Sequence, residues 1–119
     1  MMSCSCRGEL IEKLRELVKR MERVLGEENV VTLDTLNDLG VQLKDNGEYE
    51  EVIKVHERCL AGRVKVLGED HKDTLASMNK LGLAYKILRN YEKALEYYER
   101  ALEDKERVLG RRTLVRSQI

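Results

Sequence analysis

Leu33, Leu36, Leu39, Gly40 and Leu43 recur at three- and four-residue steps, and Val52, Ile53, Val55, His56, Cys59, Leu60, Val64 and Leu67 form a second, wider stripe. Apolar residues at this spacing fall on one face of an α-helix. Between the stripes stands Asp45-Asn46-Gly47-Glu48, in which Asn46-Gly47 is a strong turn dipeptide. The pattern predicts helix, turn, helix. It then returns: Leu75, Met78, Leu81, Gly82 and Tyr85, a break near Arg89-Asn90, and Ala94, Leu95, Tyr98, Ala101, Leu102 and Leu109.

The return has a fixed period. Val-Leu-Gly occurs at 24–26, 66–68 and 108–110, each copy 42 residues after the last, and residues 27–68 match 69–110 at fifteen positions. Such a period marks a chain built by stacking one helical unit. Residues 27–68 and 69–110 are read as two repeats, and 7–26 align with the second helix of the unit, a half repeat lacking its first helix. Residues 1–6 and 111–119 fall outside the period and are expected to be disordered tails. The glycine of each Val-Leu-Gly is expected just past a helix end, and Asp73-Thr74 is expected to cap the helix that follows. Gly40 and Gly82 fall inside helices, where glycine costs about 1 kcal/mol relative to alanine, so a close approach by a neighbouring helix is expected at both.

Composition sharpens the fold class to all-α. The 119 residues include no proline, phenylalanine or tryptophan, and 37% are charged. Lysine plus arginine balances aspartate plus glutamate at 22 each, so no overall field draws the chain to nucleic acid or a membrane surface. Three cysteines, Cys4, Cys6 and Cys59, give no disulfide framework, and no apolar run reaches membrane-spanning length. A soluble, cytoplasmic protein is expected.

The order Leu36, Leu39, Gly40, Leu43, Tyr49, Val52, His56, Cys59 resembles the tetratricopeptide repeat signature, and Met78, Leu81, Gly82, Tyr85, Tyr91, Ala94, Tyr98, Ala101 matches it better. The 42-residue length and the linker Gly68-Glu69-Asp70-His71-Lys72-Asp73-Thr74-Leu75 are similar to the repeats of kinesin light chains and nephrocystin-3-like proteins. That resemblance implies a right-handed α-solenoid of antiparallel helix pairs whose first helices line a concave groove. It also implies a protein or peptide partner held there in extended form. Asn37 and Asn79 match the family's inner-face asparagine, with Val41 and Leu83, then Lys44 and Lys86, further along the same face. Asparagine amides can both donate to and accept from a peptide backbone, and the lysines suit an acidic side chain or chain terminus. Asp34, Asp38 and Lys80 are placed on the rim.

Candidates for chemistry are sparse. His56 lies on an apolar stripe and is expected in the core, His71 in a turn, and Cys59 buried in place of a small residue. Tyr85, Tyr91 and Tyr98 stand at packing positions and Tyr97 does not. No phosphate loop, metal-ligand spacing or nucleophile–base arrangement is present, so no enzyme activity, metal or cofactor is expected. The second functional expectation is assembly: a short stack with uncapped terminal helices that dimerises or stacks through its ends.

Overall fold

The structure is a computed structural model; it describes the backbone of residues 2–117 and the side chains of residues 8–107. Five helices follow one another: α1 (Met2–Val24), α2 (Val30–Asp45), α3 (Tyr49–Leu67), α4 (Lys72–Ile87) and α5 (Tyr91–Ser117). Each packs mainly on its sequence neighbours, which makes an elongated stack of 57 × 35 × 22 Å. Among the described residues there is no strand. This is an all-α solenoid.

Local chemistry sets the boundaries. Asn29 caps α2 through its side chain, which accepts from Val31 N at 2.9 Å. α4 is capped by His71, whose Nδ1 accepts from Asp73 N at 3.0 Å, so the expected cap at Asp73 belongs instead to the first turn. The imidazole takes the role because Lys72 is already helical and only the residue before it has extended backbone. Gly26 and Gly68 stop α1 and α3 with φ of 96° and 93°, a left-handed turn that glycine adopts without a side-chain clash.

The outer helices run into both tails. Residues 2–6 are helical as the start of α1, and α5 runs on through Gly110 to Ser117. The sequence there lacks proline, and Gly110 continues the helix instead of turning it out, so nothing local stops either helix. Residues 118–119 and the side chains of Cys4 and Cys6 lie outside the described residues.

Two clusters fill the interior. Ile11 and Val18 of α1 meet Leu33, Leu36, Leu39 and Leu43 of α2 and Val52, Val55 and Cys59 of α3. Leu60 of α3 joins Met78, Leu81 and Tyr85 of α4 and Ala94 and Ala101 of α5. The glycines inside α2 and α4 mark close approaches: a Cβ on Gly40 would lie 2.5 Å from His56 Nε2, and one on Gly82 would lie 2.9 Å from the Tyr98 ring. Absence of a side chain lets the second helix of each repeat nest against the first.

Candidate functional site

α2 and α4, the first helices of the two repeats, meet across a small recess of about 30 Å³ lined by Val41, Lys44, Val52, His56, Lys80 and Leu83. Three of the six expected binding residues, Val41, Lys44 and Leu83, are thereby brought together. Lys80, expected on the rim, lies half-buried inside, and its ammonium donates to Asn37 Oδ1 at 2.8 Å. Asn37 is thus already engaged through its oxygen, which leaves its NH2 group to donate elsewhere. Asn79 is exposed and lines a second, larger recess between α4 and α5, while Lys86 is exposed near the end of α4 and lines neither.

The recess is electropositive. Burial, then the Arg63 charge, lowers the Lys80 pKa; the nearby Asp38 only partly offsets them. His56, 2% exposed, forms the floor. Its pKa is lowered to about 4, first by burial and then by Lys80, Arg63 and Lys44, so the ring is neutral near pH 7. Two ammonium groups above a neutral imidazole suit an anionic group better than a cationic one.

Arg63 is the residue that sequence reasoning missed. It is buried, and its guanidinium donates to Asp73 O at 3.0 Å, to Ser77 Oγ at 2.9 Å and to Asp34 Oδ1 at 3.2 Å. One side chain therefore ties α3 to α4 and draws Asp34 of α2, expected on the rim, into an ion pair. The available signal was a lone arginine four residues after Cys59 within an apolar stripe. Its counterparts one period away are Met21 and Lys105, so no recurrence drew attention to it. Met21 holds the equivalent joint by other means, accepting a hydrogen bond from Thr35 Oγ1 at 3.3 Å.

The remaining candidates settle into packing. Cys59 is buried, its thiol donates to Leu33 O at 3.3 Å, and burial raises its pKa, all of which oppose a reactive thiolate. Tyr85 donates to Glu57 Oε2 at 2.9 Å, and burial with that carboxylate pushes its pKa up to about 12. Tyr97 stacks on the Tyr85 ring at 5.8 Å between centroids, and Tyr91 is exposed, the reverse of their expected roles. Among the described residues no group of three or more His, Cys, Asp or Glu could hold a metal, and no helix is long and apolar enough to cross a membrane.

A family profile described as tetratricopeptide repeat matches residues 31–107. No curated protein matches the chain. A solved structure of a Podosopora anserina putative kinesin light chain with nearly identical TPR-like repeats is similar, with a TM-score of 0.77 and 24% identity over 86% of this chain and 48% of that one. A variant of that protein gives a TM-score of 0.75 and 24% identity over 91% and 51%. The likeness is one of fold, and the chain spans about half the length of these structures.

Proposed function

The chain belongs to the tetratricopeptide repeat family, whose repeats mediate protein–protein interaction, and from that premise we propose that it holds an extended peptide along the face shared by α2 and α4. The observation that carries the proposal is Lys80: a half-buried ammonium in an electropositive recess, bonded to a neutral amide oxygen, with Lys44 beside it. A cation held so is under-compensated, and a carboxylate from a partner would restore the balance. Asn37 donates through its NH2 group, Asn79 both donates to and accepts from the partner backbone, Val41 and Leu83 supply apolar contact, and Lys44, Lys80 and Lys86 select acidic side chains. The kinesin light chain likeness narrows the proposal to an adaptor that holds a segment of a cargo protein.

Short random peptides displayed on phage and selected on the wild-type chain test it. Selected peptides should be acidic, and the double variant Asn37→Ala, Asn79→Ala should bind them at least about tenfold more weakly while melting like the wild type. Lys80→Ala should weaken binding and flatten its dependence on salt. Unchanged affinity in the double variant removes the proposal.

A further inference from the structure

Four of the residues that seat α4 on the first repeat have counterparts one period later. Leu60 packs with Met78, Leu81 and Tyr85; Cys59 meets Ser77; Glu57 accepts from the Tyr85 hydroxyl; Asn37 accepts from Lys80. Forty-two residues on stand Leu102, Ala101, Glu99 and Asn79, three of them identical and one smaller. Leu60 is 5% exposed, but Leu102 is 56% exposed. Asn79, Ala101 and Leu102, with Lys72 and Lys105, line an open recess of about 430 Å³ between α4 and α5. α5 thus carries the receiving surface of α3, and among the described residues only α4 packs extensively on it.

We propose that this recess seats one amphipathic helix of a partner polypeptide, docked as α4 docks on α3. The occupant is specified by the interface already present in the molecule. It carries a small residue against Ala101 where α4 has Ser77, and an unbranched apolar residue against Leu102 where α4 has Met78. A lysine two positions further, as at Lys80, reaches Asn79. An acidic residue is needed as well: Lys105 replaces Arg63 here, but Ala76 replaces Asp34, and no carboxylate lines the recess. A second copy of this chain fits less well. At the other end Leu10 and Leu17 of α1 are 42% and 43% exposed, whereas their counterparts Val52 and Cys59 are buried against α2. Among the described residues both ends thus expose the face of a second helix, so two copies meeting end to end would bring no first helix to either.

The probe is a labelled synthetic peptide spanning residues 69–90, the chain's own α4 with its flanks, titrated into the full chain and followed by fluorescence polarisation and circular dichroism. Saturable binding with a gain in helicity is expected. Leu102→Glu and, independently, Lys105→Glu should each weaken it at least about tenfold. A Met78→Glu version of the peptide should lose binding too, while Lys19→Ala in the protein, exposed on α1 and lining neither recess, should leave affinity unchanged. No saturable binding overturns the proposal. So does equal binding by both α5 variants, which would mean that the peptide exchanges with α4 on α3. Sedimentation of the wild type as a dimer that Leu102→Glu converts to a monomer also overturns it, by placing a second copy in the recess.

Discussion

His56 shows how one side chain can be legible in kind and opaque in consequence. Its place on an apolar stripe announced a core residue, but the cost of charging it depends first on burial and then on Lys80, Arg63 and Lys44, which three different helices bring near it. Folded, the ring protonates only near pH 4, whereas its ordinary value is 6.5. Between those values the unfolded chain binds more protons, so this contribution is fully present above pH 6.5 and is lost as pH falls toward 4. The loss should reach about 3 kcal/mol. Urea melts across the window should show it, and His56→Tyr, packed against Gly40 as Tyr98 packs against Gly82, should remove this component from the pH profile. A variant with the same acid sensitivity as the wild type would place its origin in other groups. Arg63 was illegible for the opposite reason: arginine in a helix usually faces water, and only the placement of Asp73 O and Ser77 Oγ turns it inward.

At the scale of the helix and its turns, the period itself exposes one local misfit. The turn between α2 and α3 uses Gly47 at φ 83°, and the equivalent turn between α4 and α5 puts Arg89 at φ 66°. A side chain in the left-handed region costs about 1 kcal/mol or more, which glycine avoids. Arg89→Gly should therefore raise the thermal midpoint, with a gain of up to about 1 kcal/mol after the entropy of the freer unfolded chain is counted. An unchanged or lower midpoint would show that the arginine side chain returns more than its backbone costs. Helix interiors were readable because their spacing is regular. The outer ends of α1 and α5 were not, since the sequence there breaks the period without breaking the helix, and no proline marks the difference.

For the molecule as a whole, sequence revealed the stack because duplication left fifteen matched positions, whereas the recess between α2 and α4 depends on contacts such as Asn37–Lys80 that span 43 residues and follow no local rule. Burial is concentrated in the middle and thins toward both ends, with Leu10, Leu17, Leu95 and Leu102 open to solvent. Amide hydrogen exchange should follow that gradient, slowest in α2, α3 and α4 and fastest in the first turns of α1 and the last of α5. Uniform protection along the chain would contradict a nearest-neighbour solenoid. The two joints between successive units are also fastened differently, one by the Met21 thioether and the Thr35 hydroxyl with the solvent-accessible ion pairs Arg15–Glu51 and Arg58–Glu22, the other by a buried guanidinium with three acceptors. Ion pairs open to water contribute little. Under a mechanical load applied between its ends, the stack would part first at the sulfur-fastened joint. α1 would peel away while the α2–α5 block travelled intact, which makes the orientation of the chain a direction of weakness.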